Sequence, residues 1–228
     1  MKKSIVIAVA LALVVVLGAG VVWASNSQPA SKATAKVGDI YIINSTDMAW
    51  DTILEQDIKT PNQKDLFIDV SLECGLYTQT HVKSKGGNKD TATAEAMVKV
   101  RVLVDGDEAY PGKVVFNYRE QTLSAKFMGI FTGECLDVDP VNHTVTINYT
   151  CLEPEELNLT LDTMSANSFN FIMDDLTSGV HTVEVQAMID TTAVAGAGTA
   201  EAWATIGRGS VTIELVRMIK GEDILLEE

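Results

Sequence analysis

Cysteine and histidine carry the most versatile chemistry, and this chain has three of each: Cys74, Cys135, Cys151, His81, His143 and His181. The histidines are scattered and lack the spacings that bring two imidazoles onto one metal ion. No nucleophile with a base and an orienting partner can be read around them. A single histidine in a strand is therefore read as a hydrogen-bonded structural residue. Three cysteines in an exported chain predict one bridge and one leftover thiol. We expect Cys135 to pair with Cys151, a bridge contributing about 3 kcal/mol by loop entropy. Reduced, buried thiols are the competing state for all three. Cys74 falls on the apolar face of its segment, where a thiol packs as a small hydrophobe.

The acidic residues gather at three turns. Asp105, Asp107 and Glu108 share one, Asp137 and Asp139 sit beside Pro140 in another, and Asp174-Asp175 precede a third. Calcium takes six to eight oxygens from loops of this kind. Asp105, Asp107, Glu108, Asp137 and Asp139 are accordingly the metal candidates, and calcium is the only cofactor considered. None of the clusters matches the twelve-residue EF-hand spacing, and Asp favours turns without any metal. Gly207-Arg208-Gly209-Ser210 resembles a phosphate-cradling loop but leads into a strand pattern rather than a helix, so a turn or bulge is expected. A glycoside hydrolase needs two carboxylates about 5 to 10 Å apart, and sugar clefts use aromatic platforms. Aromatics are only 6% of the chain, and beyond residue 24 the tryptophans are Trp50 and Trp203. That counts against a hydrolase and against a carbohydrate-binding module, so no catalytic residue is assigned.

The chain opens with Lys2 and Lys3, an apolar run over residues 4–24, and Val22-Trp23-Ala24 as a cleavage site. This is a secretory signal pattern over 1–24, with an uncleaved membrane anchor as the alternative, since the run approaches the roughly 20 residues of a spanning helix. Either way the remainder is expected to be secreted or at the cell surface. Net charge is −14, and it becomes two units more negative if Lys2 and Lys3 are removed. Such a chain repels nucleic acid and anionic lipid, leaving the N-terminal segment as its only membrane contact. Four Asn-x-Thr sequons, at Asn44, Asn142, Asn148 and Asn158, predict a glycoprotein if the host glycosylates exported proteins.

The elements that must position these residues read as strands. Leu66, Ile68, Val70, Leu72 and Cys74 alternate with polar residues; Val98, Val100, Val102 and Val104 do the same, before a hairpin turn at Asp105-Gly106. Further alternating runs cover 113–118, 145–151, 157–161, 169–173, 179–189 and 204–218. The last two look like antiparallel neighbours in one sheet, joined by a Gly/Ala-rich span. Residues 25–38 read as a linker, 40–43 as a short first strand, and 45–59 as a helix with Trp50, Ile53, Leu54 and Ile58 near helical spacing. Nine or ten short strands with turn signals predict an all-β, antiparallel β-sandwich, jelly-roll or Greek-key in style, following the signal or anchor helix. It forms one domain over 39–220, with an acidic tail over 221–228.

Residues 164–218, with the phrases SGVHTVEVQA and RGSVTIELVRM on either side of the low-complexity span, resemble the end of jelly-roll domains of the tumour-necrosis-factor and C1q type, including those on phage and surface appendages. The resemblance implies a compact sandwich, often trimeric, used in adhesion or assembly, and it transfers no functional residue.

These readings converge on an exported, non-catalytic structural or adhesion protein. It would be a homo-oligomer or surface assembly subunit that uses unpaired sheet edges for strand addition, with residues 25–38 or the acidic tail as donor. A glycan- or calcium-binding sandwich module is the alternative, and a secreted glycoside hydrolase the least favoured.

Overall fold

The structure, a computed structural model, describes residues 32–38 and 48–218. The signal or anchor segment, the expected strand at 40–43, the sequon at Asn44 and the acidic tail lie outside the described residues. Within them no helix is long and apolar enough to cross a membrane.

The described chain is an antiparallel β-sandwich. Its strands are β1 (Ala33–Gly38), β2 (Asp51–Thr60), β3 (Lys64–Ser84), β4 (Lys89–Val104), β5 (Asp107–Glu108), β6 (Val114–Lys126), β7 (Leu136–Asp139), β8 (Thr144–Ile147), β9 (Glu155–Leu176), β10 (Gly179–Ala195) and β11 (Thr199–Val216). One sheet has the order β1-β11-β3-β9. The other has β2-β10-β4, with β5 and β6 on the far side of β4, and β7 pairs with β8 alone. Taking the eight main strands in chain order, the first pairs with the eighth, the second with the seventh, the third with the sixth and the fourth with the fifth. This is a long antiparallel ribbon, with the β4–β6 pair at its tip, rolled up into two facing sheets: the jelly-roll arrangement.

Alternation explains the rolling. In β3 every even-numbered residue from Leu66 to Ser84 is buried, and in β4 every even-numbered residue from Asp90 to Val104. Leu66, Ile68, Val70, Leu72, Cys74 and Leu76 of β3 meet Val98, Val100, Val102 and Val104 of β4 and Val183, Val185 and Ala187 of β10 in one core. In β11 the phase changes: Ala204 and Ile206 face inward before the Gly-Arg-Gly stretch, and Val211, Ile213 and Leu215 after it. The register with β3 slips between Ile206 and Gly209. The expected bulge is therefore what returns apolar residues to the core on both sides of it.

Several expectations change. The last six linker residues, Ala33–Gly38, form β1, an edge strand on β11, and the compact unit begins at Ala33. The helix expected over 45–59 is instead occupied by strand β2. Leu54 and Ile58, four apart, suit either period, but Thr60 is also buried, and all three lie on one face of a strand paired with β10. The two C-terminal segments are not neighbours: β10 and β11 lie in opposite sheets, so the Gly/Ala-rich span is a corner crossing between sheets. Asp90 fixes that corner. Its carboxylate accepts from the backbone N–H of Lys83 (2.7 Å), Ala197 (2.9 Å) and Gly198 (3.1 Å), tying the β3–β4 turn to the β10–β11 turn. Those N–H groups, the Lys83 one foremost, hold its carboxyl below the usual carboxylate range. Finally, 157–161 and 169–173 belong to one 22-residue strand, and the segment at 145–151 ends as a strand at Ile147.

Phe171 is fully buried among the core residues. Phe171→Ala should cost about 3–5 kcal/mol in denaturant unfolding, whereas Val115→Ala, on an exposed side chain, should stay within about 0.5 kcal/mol.

Candidate assembly surface

The edges of the first sheet differ in how they are covered. β1 lies along β11 only from Gly209 to Glu214. Over residues 199–208 no strand among the described residues pairs with the outer side of β11, whose inner side is paired to β3. β1 itself buries little: Ala33, Ala35, Lys36 and Val37 are exposed, Val37 by 76%. At its last described residue two glycines stand in register, Gly38 and Gly209. A Cβ on Gly209 would collide with the Leu72 side chain, and one on Gly38 with Leu54.

The opposite edge, β9, is closed by side chains instead of a strand. Gln121 of β6 donates to the Leu159 carbonyl (2.8 Å) and to Thr80 Oγ1 (2.6 Å), and accepts from Thr78 Oγ1 (2.9 Å). Arg119 donates to the carbonyls of Leu76 (2.9 Å) and Leu161 (3.1 Å), and to Thr163 Oγ1. Asn117 Nδ2 donates to Ser165 Oγ at 2.8 Å. Beside this seam Leu157, Leu159 and Leu161 share the face of buried Val82, Thr80 and Thr78, yet remain about two-fifths exposed.

Between β6 and β9 the chain makes an excursion that holds both cysteines and two sequons. Cys135 and Cys151 are joined, with Cα atoms 5.4 Å apart, and they clasp the base of the β7–β8 hairpin. Leu136 faces Ile147 and Val138 faces Val145 across it, so one face of the ribbon carries four exposed apolar side chains. Asp139 organises the tip. Its carboxylate accepts from the Val141 N–H (2.8 Å), the Asn142 N–H (3.1 Å) and Asn142 Nδ2 (2.6 Å), which holds its pKa down. His143 is exposed there in a left-handed conformation. Sequence reading placed residues 145–151 in one strand; Asn148 instead caps a single 3-10 turn, Tyr149–Cys151. Cys74 is the leftover thiol, buried in the core, and burial pushes it up to about 12.

The remaining chemistry-bearing residues go to structural posts. His81 lies 3.3 Å from Glu156, which also pairs with Lys83 at 2.7 Å. His181 is buried. Its Nδ1 lies 2.7 Å from Asp105 Oδ2, and its Nε2 lies 3.0 Å from the Thr177 carbonyl and 3.1 Å from Thr60 Oγ1. A carboxylate and a carbonyl can only accept, so this setting favours the protonated ring, in which both nitrogens donate. Burial alone would lower its pKa, but the Asp105 hydrogen bond and charge and the Thr177 carbonyl outweigh it, and the net shift is upward. Burial likewise raises Asp105, and its bonds to His181 and to the Thr182 N–H reverse that to a net lowering. Asp, His and Thr in a row look like a nucleophile relay. Thr60, however, is 1% exposed with its hydroxyl already given to the Thr177 carbonyl at 2.6 Å.

Asp105 thus serves His181, in the turn where Asp105 and Gly106 take the positive φ values of the expected hairpin. Asp139 serves the hairpin tip, and Asp137 stands opposite Thr146. Among the described residues no three His, Cys, Asp or Glu side chains converge on a point where a metal could sit, so Asp105, Asp107, Glu108, Asp137 and Asp139 are not brought together. On the outer face of the first sheet the structure stacks Trp203 on Tyr77, centroids 4.8 Å apart and planes within 12°, a pairing sequence reading missed because only the β3–β11 register creates it.

No protein-family profile matches the chain, and no curated protein matches it. Among solved structures it is similar to that of infectious bursal disease virus Gx strain, at 12% identity over 87% of this chain and 35% of that one, with a TM-score of 0.34. It is similar also to the VP2 subviral particle of that virus, at 11% identity over 86% and 39%, TM-score 0.27. A CocE/NonD family hydrolase from Staphylococcus aureus follows, at 11% identity over 84% and 38%, TM-score 0.22. The chain spans less than two-fifths of each of these chains. The sandwich is defined by its own strand order.

The His181 site makes stability depend on pH with a definite sign. A histidine raised above 6.5 in the fold stabilises fully below 6.5, and loses that contribution as pH rises through its folded value. An aspartate lowered below 3.8 stabilises above 3.8, and loses it as pH falls through its folded value. The contribution should therefore be complete between about 4 and 6.5 and decline above, by the same linkage. Asp105→Asn should flatten the decline of the urea midpoint as pH rises above about 6.5; an unchanged slope would refute the assignment.

Proposed function

We propose that this protein is an exported, non-catalytic structural subunit of a cell-surface or extracellular assembly, and that neighbouring copies join by strand addition at the β1–β11 edge. The observation that carries the reading is the peripheral character of β1. Six mostly exposed residues occupy part of a sixteen-residue β11 edge, residues 199–214, and nothing described covers the rest. Short edge strands with few buried side chains sit at the low end of local stability. A strand that leaves β11 exposes the row of N–H and C=O groups that another copy's β1 satisfies equally well. Exchange of this kind makes a head-to-tail contact, which propagates wherever its rotation fails to close.

Val37 and Ser210 are register partners, so a Val37→Cys/Ser210→Cys disulfide would hold β1 on its own chain. Light scattering should find the oxidised double variant monomeric, and the reduced form and the parent chain assembled. Equal assembly of oxidised and reduced protein would refute exchange of β1, and a monomeric parent chain would refute assembly itself.

A second reading, a saccharide-binding module, rests on Trp203. It is 38% exposed against Tyr77, next to a groove lined by Gln79, His81, Glu156, Asn158 and Thr199. Saturable quenching of tryptophan fluorescence by a neutral oligosaccharide, lost in Trp203→Ala, would favour it over assembly.

A further inference from the structure

We infer that, among the three described sequons, Asn148 is the one that accepts an N-linked glycan in the folded chain, its carboxamide taking an oligosaccharide from a polyprenyl diphosphate donor. The three described sequons share the Asn-x-Thr pattern but sit in three different backbone states.

Asn158 lies inside β9, its Cα in register with His81 of β3, and its Oδ1 accepts from Gln79 Nε2 at 3.3 Å. A transferase must bend the sequon around the acceptor amide, and here that would break the β3–β9 ladder. Asn142 sits in the hairpin tip, where a bend is available. Its Nδ2, the atom that must react, donates instead to Asp139 Oδ2 at 2.6 Å, and that carboxylate is itself fixed by two backbone N–H groups.

Asn148 differs on both counts. It is exposed and already within a turn, capping Tyr149–Cys151. Its Oδ1 accepts from the Thr150 N–H at 3.0 Å and from Thr150 Oγ1 at 2.6 Å. Two donors on the carbonyl oxygen pull electron density away from the nitrogen and make its N–H easier to deprotonate. Nδ2 donates no hydrogen bond among the described residues. The turn is held in place by the Asn148 N–H donating to the Cys135 carbonyl (2.9 Å), by the Cys135–Cys151 bridge, and by Tyr149 packed edge-on against Phe131 at 6.5 Å.

In the transfer, Nδ2 attacks the anomeric carbon of the donor sugar. The Nδ2–C1 bond forms, the C1–O bond to phosphate breaks, and its electron pair leaves on polyprenyl diphosphate. The Nδ2 proton passes to a carboxylate base of the transferase.

The test treats the folded, oxidised full chain with a single-subunit oligosaccharyltransferase that needs only Asn-x-Thr, together with a polyprenyl diphosphate-linked oligosaccharide. Glycopeptide mass spectrometry reads occupancy at each sequon. A parallel arm uses the same chain reduced and unfolded in urea diluted to a level the enzyme tolerates. The folded chain should carry glycan at Asn148 in about tenfold excess over Asn142 and over Asn158, the scale of one net hydrogen bond, and the excess should vanish on unfolding. Thr150→Ser should keep the preference, since the hydroxyl donor remains. Three outcomes overturn the inference: no preference for Asn148 in the folded chain, no modification of the folded chain while the unfolded chain is modified, or an equal preference in both arms, which would assign it to local sequence rather than to the turn.

Discussion

The whole arrangement depends on one constraint: β3 and β4 each bury alternate residues along nearly their full length, and they do so against each other from opposite sheets. A slip of one residue in either strand would turn Leu66, Ile68 and Val70, or Val98, Val100 and Val102, out to water at once. At roughly 25 cal/mol for each square ångström of apolar surface, no alternative pairing could recover that loss. With the middle of the ribbon fixed in this way, the outer strands have one place to go. β10 and β11 pair with β4 and β3, and β2 and β1 pair outside them.

The interior is not uniform along the strands. Toward the Asp90 end the inner face of β4 narrows from valine to Ala92, Ala94 and Ala96, and the inner face of β3 carries Thr78 and Thr80. Gln121 fits between them, with its three hydrogen bonds satisfied by two hydroxyls and an edge carbonyl. A buried amide is tolerated when its groups are paired. Here it also ends one edge of the sandwich, because the β9 carbonyls are already engaged. The other edge of the same sheet, at β11, has no such side chains over residues 199–208 among the described residues.

Much of this was legible in the sequence, and the reasons differ by segment. The strands at 66–74 and 98–104 are unambiguous because period-two alternation with β-branched residues has no helical reading. β2 was misread because Leu54 and Ile58 satisfy both periods, and only pairing with β10 decides between them. Residues 33–38 read as linker because they are small and uncharged apart from lysine; they form a strand by virtue of the backbone partner that β11 offers. The bulge at Gly207-Arg208-Gly209 could be anticipated from two glycines, but not its purpose, which is visible only as the change from Ile206 to Val211 as inward residues. The Thr60–His181–Asp105 link was out of reach, since its members lie 121 and 76 positions apart and no local pattern couples them. The assignment of β10 and β11 to one sheet failed because a Gly/Ala span of that length serves equally as a hairpin or as a corner.

The pairing of the first strand with the last sets how the fold bears load. Ala33 stands opposite Glu214, so the chain enters β1 and leaves β11 at the same end of the sheet. Tension between those two points pulls the pair apart like a zipper, breaking six rungs singly, before any force reaches the core behind them. A solitary copy held at one terminus and tugged at the other would yield there first, at low force and without unfolding. β1 would act as a mechanical fuse, sacrificed and re-formed while the sandwich stays intact.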